Sequence, residues 1–295
     1  MNKGESKPPL VFTVDVEDWA NSTLGPERPI TDRFLEGLCR ILSLLEEAGA
    51  KGTFFILGAA AAKFPEAARA VAAAGHDVAA HGYNHVPAYS LGRKRFREEL
   101  RRVGDCLAGI TGVKPRYYRA PDFGVGADSL WVLEVLAEEG YAVDSSIFPF
   151  RGRRYGIRWW PREPRNVLLA GGLSIVELPL PTFEVLGVRL PAAGGGYTRV
   201  TPYRALKAVL SAGVRGGWAR VHYCHPYELD EDEISAYRHN TSLKMRFSQR
   251  LGRRGTFSKL NRMITDFKVI SIKEFLNTYK INTYEPDKKA FEGAS

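Results

Sequence analysis

Three acids fall within four positions near the start of the chain: Asp15, Glu17 and Asp18, directly behind the apolar run Leu10-Val11-Phe12. Carboxylates this close repel, so one takes a proton, a cation enters, or the cluster lies solvated in a loop. If the strand runs on through the cluster, alternation puts Asp15 and Glu17 on one face and Asp18 on the other. Two acids on one face, one binding a metal and one holding a water, make a hydrolase arrangement. His81 and His85 stand four apart. On a helical turn that spacing presents both rings to one metal, although surface histidines also show it. Neutral imidazole suits Zn, Co, Ni or Fe. Arg119 can keep two nearby carboxylates ionised, or simply form a surface ion pair. His225 ends an apolar strand and reads as an acid or as a core histidine. Asp144, at another strand end, can orient it and raise its pKa. His222 has the opposite parity and is expected to be structural.

These residues need elements to hold them at strand ends. From Leu10 onward, strands and helices alternate. Strands are expected at residues 11–14, 52–57, 76–80, 117–119, 141–144, 175–178, 220–224 and near 267–272. Helical periodicity covers 34–48, 65–74, 94–111 and 129–139, with Gly49, Gly75 and Gly140 as stops. Thr201-Pro202 reads as a cap and first-turn proline for a helix through Leu210. Residues 242–279 read as a basic, helical tail. The repeated β-then-α order predicts parallel strands with helices outside, and sites at the strands' carboxyl ends. Residues 151–165 read as a long loop whose Arg151, Arg153, Arg154, Tyr155, Trp159 and Trp160 either stack on sugars or pack down. Gly194 to Gly196 reads as a flexible turn or a place of close substrate approach.

At 295 residues, 44% hydrophobic and 25% charged, the chain has ample length for one large core. Its formal charge of +9 favours anionic partners. No helix-turn-helix, zinc-finger or RNA-binding motif turns that charge towards nucleic acid. The three scattered cysteines exclude a Cys-x-x-Cys zinc site and a disulfide framework, so a reducing, cytoplasmic setting is expected. No signal-like segment opens the chain, and no run approaches the roughly 18 apolar residues of a membrane span. The expectation is a soluble protein, with peripheral membrane attachment open.

In order, Asp15-Val16-Glu17-Asp18, His81-x-x-x-His85, Arg119-Ala120-Pro121, Asp144-Ser145-Ser146 and His225-Pro226 resemble the motifs of the polysaccharide deacetylase family, carbohydrate esterase family four. The resemblance spans residues 11–272. Residues from 194 to about 280 look like the C-terminal part of a subgroup tied to bacterial exopolysaccharide and lipopolysaccharide systems. It implies a single domain with a distorted, incomplete (β/α) barrel that removes the N-acetyl group of an aminosugar. By position, Asp15 looks like the general base, Arg119 its orienting partner, His225 the general acid and Asp144 the partner of His225. Glu17, His81 and His85 look like ligands of a divalent metal, zinc foremost. Pro121, Asp122, Phe123 and Trp159 are the implied substrate contacts, with an amide of Asp122 or Phe123 helping to hold the oxyanion. Most family members carry two adjacent aspartates in the first motif; here Val16 intervenes, and the ligand maps onto Glu17.

The implied substrate is an N-acetylated saccharide, lipid-linked or nucleotide-linked, met in the cytoplasm or at the inner membrane face. The sequence does not give the oligomeric state. Two other readings stand beside this one: a metal-independent hydrolase of a small cyclic amide or ureide, and a non-catalytic carbohydrate-binding protein.

Overall fold

The computed structural model describes residues 7–152, 155–192 and 194–286, so Arg153 and Arg154 of the basic loop lie outside the described residues. The strands are β1 (Pro9–Val16), β2 (Thr53–Ile56), β3 (Asp77–Ala80), β4 (Tyr117–Tyr118), β5 (Val143–Asp144), β6 (Arg165–Leu168), β7 (Ser174–Glu177), β8 (Thr182–Val185), β9 (Val188–Pro191), β10 (Arg220–Cys224), β11 (Lys268–Ile270) and β12 (Asn282–Tyr284). All but β8 and β9 join one curled sheet in the order β10-β1-β2-β3-β4-β5-β7-β6-β12. Its pairings are parallel except β6 with β7. Among the described residues nothing joins β10 to β12, so the barrel stays incomplete.

Strand β1 organises the molecule. Its Leu10 to Val14 pair with Arg220 to Cys224 of β10, and its Thr13 to Val16 with β2. Strand β11 pairs with Pro9 to Val11, so it lies end to end with β2 along one edge of β1. Ile272 N reinforces that junction by donating to Thr53 Oγ1 at 2.8 Å.

Alternation along the strands divides the core in two. Leu10, Phe12, Val14, Phe54, Ile56, Val78 and Ala80 pack outward with the helices. Val11, Phe55, Ala79, Val143, Val221 and Tyr223 fill the sheet's inner side. The helix Arg33–Glu47 buries Phe34, Leu38, Ile41 and Leu45 against the outer face, a stripe at helical spacing. The helix Gly92–Thr111 likewise buries Phe96, Leu100, Val103 and Leu107, and ends at Gly112 in the left-handed conformation.

Several elements differ from expectation. The β8–β9 hairpin turns at Leu186-Gly187, where both φ angles are positive, as a tight two-residue turn requires. Leucine at the first position hides that turn in the sequence. Gly194 is not a loose turn: it opens the helix Gly195–Val200. Thr201 ends that helix, and the next, Tyr203–Arg215, is preceded by Pro202.

Candidate active site

The carboxyl ends of β1, β3, β4 and β10 converge on one pocket. It is lined by Asp15, Glu17, His81, His85, Asp122, Phe123, Tyr155, His225 and Tyr227, with Ser22 and Thr23 at the rim, and encloses about 190 Å³. A larger cavity of about 560 Å³ adjoins it and shares Tyr155 as a wall. The inward parity of Val11, Thr13 and Asp15 carries on to Glu17, so one strand end delivers both acids. Asp18 turns away. It caps the helix Trp19–Leu24 through Asn21 N at 2.9 Å and also accepts from Thr31 N and Thr31 Oγ1.

Glu17, His81 and His85 form the one group of potential metal donors among the described residues, their ligand atoms within 4.8 Å of one another and all buried. Glu17 Oε2 lies 3.1 Å from His81 Nε2 and 2.8 Å from His85 Nε2. His81 Nδ1 donates to the Arg119 carbonyl at 2.9 Å, since a carbonyl only accepts. In the neutral ring this turns the Nε2 lone pair on a carboxylate oxygen, a contact between two acceptors that a cation relieves. Burial pushes the Glu17 carboxyl up. The His85 charge and the close approach of both imidazoles outweigh it and hold Glu17 well below its usual range. Burial pulls His85 down, but the Glu17 charge leaves it raised. Two imidazoles and a carboxylate, with a bond from the backbone fixing one ring, suit a borderline divalent ion such as zinc.

Arg119 is fully buried and fixed on every side. It donates to Asp15 Oδ1 at 2.7 Å, Thr13 Oγ1 at 2.8 Å, Ser145 O at 2.9 Å and Ser145 Oγ at 2.9 Å. Its guanidinium also lies over Phe55, 4.2 Å from the ring centroid. Asp15 is thereby held by Oδ1, while Oδ2 faces His225 Nε2 at 3.9 Å.

The partner of His225 is Glu228, not Asp144. Glu228 Oε2 accepts from His225 Nδ1 at 3.1 Å and from His225 N at 3.0 Å, and Arg199 holds its other oxygen at 3.2 Å. Tyr227 stacks on the imidazole with centroids 4.7 Å apart. Burial lowers the His225 pKa, but the Glu228 hydrogen bond and charge, with Glu17 and Asp15, leave it raised. Burial raises Glu228, but His225 and Arg199 bring it down to about 2. The signal was present in the sequence as an acid three residues beyond His225, where a one-turn helix folds it back.

Asp144 does not reach the pocket, for a reason of parity. Val143 packs on the inner side, so the next residue faces the other way. There Asp144 pairs across the sheet with Glu177. Burial raises both carboxyls, Glu177 well above the usual range with the Asp144 charge adding to it, so the pair holds a proton. Asp144 Oδ1 accepts from Ser146 Oγ at 2.6 Å, and Ser146 Oγ accepts from Ala120 N at 2.8 Å. The Asp144-Ser145-Ser146 stretch is thus the bracket that fixes Arg119 and Ala120. His222 is buried against Phe12 and bonded to Thr198, away from the pocket.

Three further expectations shift. Trp159 is half exposed and lies beside Arg158, Glu184 and Arg189 rather than in the pocket, while Trp160 is the buried one. Pro121 packs behind the wall, 3.1 Å from where a side chain on Gly82 would begin. Phe123 N closes a turn to Ala120 O at 3.0 Å and is not available to an oxyanion. Asp122 and Phe123 do line the pocket. His85, Asp122 and Phe123 all have positive φ, backbone strain gathered at one site.

Comparison with known proteins agrees with this fold. Residues 32–142 match the family model "Polysaccharide deacetylase" and residues 145–277 match "Domain of unknown function (DUF3473)". A peptidoglycan-N-acetylglucosamine deacetylase of Bacillus cereus is 31% identical over 87 residues, 30% of this chain and 32% of that protein. A chitooligosaccharide deacetylase of Sinorhizobium fredii is 31% identical over 156 residues, 52% of this chain and 64% of that protein. The match spans about a third of the first curated relatives. A solved structure from Mycobacterium smegmatis, named for the same family, superposes with TM-score 0.64 at 22% identity, covering 98% of this chain and 97% of the other. His81, His85 and Arg119 fall in the first matched region, and His225 and Glu228 in the second. Residues 32–142 are thus similar to the polysaccharide deacetylase family, and the whole chain shares its fold with the Mycobacterium smegmatis structure.

Proposed function

We propose that the protein is a hydrolase that removes the N-acetyl group from an aminosugar in a saccharide, releasing acetate. The observation that carries this reading is the meeting, in one small pocket, of a Glu-His-His donor set, an arginine-held aspartate and a glutamate-backed histidine. A divalent cation held by Glu17, His81 and His85, zinc before cobalt, nickel or iron, supplies Lewis acidity for an amide carbonyl and for water. Asp15, fixed by Arg119, presents Oδ2 to take a proton from the attacking water. His225 keeps Nδ1–H on Glu228 and its second proton on Nε2, aimed into the pocket to protonate the departing amine. The pocket admits little more than the acetamido end of a sugar, and the adjoining cavity, with Tyr89, Trp131 and Tyr155, offers room for the rest.

The substrate we propose is lipid-linked and met at the cytoplasmic face of the membrane, in an exopolysaccharide or lipopolysaccharide system. The free cysteines Cys39, Cys106 and Cys224 and the chain's positive charge support that setting. Acetate release from N-acetylated glucosamine oligosaccharides and from lipid diphosphate-linked N-acetyl sugars tests the reading. Zinc-loaded protein is expected to turn over at least one of them. Asp15→Asn and His225→Ala are each expected to lower kcat by about 10²-fold or more. Turnover unchanged in both variants would sink the mechanism, and full activity after exhaustive chelation would replace it with a metal-independent one.

A further inference from the structure

We infer that the helix Leu243–Arg250 is the face by which the protein docks on an anionic lipid bilayer. Ser242 caps this helix, its Oγ accepting from Met245 N at 3.2 Å, and none of the helix's residues is buried. Leu243, Phe247 and Leu251 are 76%, 71% and 48% exposed. Spaced four apart, they form one apolar stripe along the solvent side. Arg246 and Arg250 flank the stripe on one side and Lys244 on the other, as helical spacing requires. A soluble helix of a globular protein turns its apolar stripe inward. An apolar ridge between cations, facing out, is the pattern of a helix that lies in the headgroup layer.

The charge around the ridge points to the same occupant. From residue 234 through 265 the chain carries eight lysines and arginines and no aspartate or glutamate. Just before it, Glu231 is already met by Arg254 and Asp230 by Arg33. Arg253 is buried, Lys259 holds backbone carbonyls and Arg254 meets Glu231, which leaves Arg238, Lys244, Arg246 and Arg250 beside the ridge. A second protein chain with an apolar groove could cover the ridge, but it would not need those cations, and an anionic bilayer does. Another exposed apolar element, the β8–β9 hairpin with Leu186 at its tip, also has arginines beside it, Arg151, Arg158 and Arg189. There, however, Glu184 lies between Arg162 and Arg189, whereas the helix ridge has no acid between its cations.

The helix is also joined to the pocket. Arg199 donates to Gln249 O at 2.6 Å and holds Glu228, which holds His225. Arg253 bonds to the carbonyl of Tyr227, a pocket wall. A protein resting on this helix therefore keeps its pocket within a few residues of the lipid surface. The inference deepens the lipid-linked reading proposed above, while the binding itself depends on the helix alone.

Co-sedimentation with phosphatidylcholine vesicles, with and without phosphatidylglycerol, tests it separately from catalysis. The protein is expected to bind only the anionic vesicles, more weakly as salt rises. Phe247→Ser combined with Leu251→Ser should weaken that binding by about tenfold or more, with melting temperature and turnover of soluble substrates unchanged. Leu186→Ser on the hairpin should leave binding as it was. Failure to bind anionic vesicles would overturn the inference. So would equal binding by the helix variant, loss of binding in the hairpin variant instead, or a concentration-dependent dimer in solution that the Phe247 variant abolishes. None of these outcomes bears on acetate release, so the deacetylase reading stands or falls by its own assay.

Discussion

Single substitutions separate roles that lie side by side in the pocket. Glu228 acts on the reaction only through His225, so its removal should show in the pH profile. With its folded-state pKa raised, His225 keeps its acidic proton to higher pH than a free imidazole, and activity is lost as pH rises through that raised value. Glu228→Gln should move the alkaline limb of kcat/KM to lower pH and reduce the plateau by about tenfold or more. Asp144→Asn, on the far face of the sheet, should leave that limb in place. A limb that moves with Asp144 and not with Glu228 would reverse the assignment. Glu17 and Asp18 divide in the same way. Metal analysis after dialysis should find Glu17→Gln depleted and Asp18→Ala still loaded. The Asp18 variant should instead lose about 1–2 kcal/mol of stability, because a helix cap and two bonds to Thr31 go with it.

At the scale of elements, the strand pair β5–β7 carries a titration of its own. Asp144 and Glu177 have folded-state pKa values raised above their unfolded ones. The folded chain therefore holds a proton that the unfolded chain releases above about pH 4.5, the ordinary glutamate value. Stability falls as pH rises from there towards the raised value. Glu177→Gln keeps a donor towards Asp144 and an acceptor for Ile147 N without the titrating proton. Its melting temperature should exceed that of the parent by a few degrees at pH 8, with the gap closing towards pH 4. A gap that widens on acidification would show that the pair is ionised at neutral pH. The helix Gly195–Val200 makes a second element-scale demand. Gly194, at φ +95°, lets the backbone pass so close to Tyr223 that a side-chain carbon there would stand 1.9 Å from the ring. Tyr223 in turn edges against His225, so this glycine belongs to the site's scaffold.

Across the whole molecule, the two halves share one sheet. Strands β10 and β11, from the last third of the chain, pair with β1 from the first fifteen or so residues. Asp15 and His225 are 210 positions apart and face each other because β1 and β10 are neighbours. A fragment of residues 1–142 should therefore lack a cooperative thermal transition, since Leu10 to Val14 would present an unpaired edge. Circular dichroism of that fragment, with and without added residues 143–286, checks this. A fragment that melts cooperatively by itself would mean that β10 is dispensable for the core.

Much of this was legible in the chain itself. The strand-helix alternation, the parallel sheet and the strand ends bearing Asp15, His81, Arg119 and His225 follow from local periodicity, which residue order alone fixes. The separation of Glu17 from Asp18 followed from strand parity. Parity was also enough to remove Asp144 from the pocket, once Val143 was known to face inward. What only the tertiary structure decided was partnership. Glu228 reaches His225 because the chain folds into one tight turn after β10, and Glu177 meets Asp144 because β7 happens to lie beside β5. The order of strands in a sheet is set by packing across the whole molecule. The meeting of Asp144 with Glu177 therefore has no local signature in the sequence, whereas Glu228, three residues beyond His225, carries one that only the turn after β10 makes decisive.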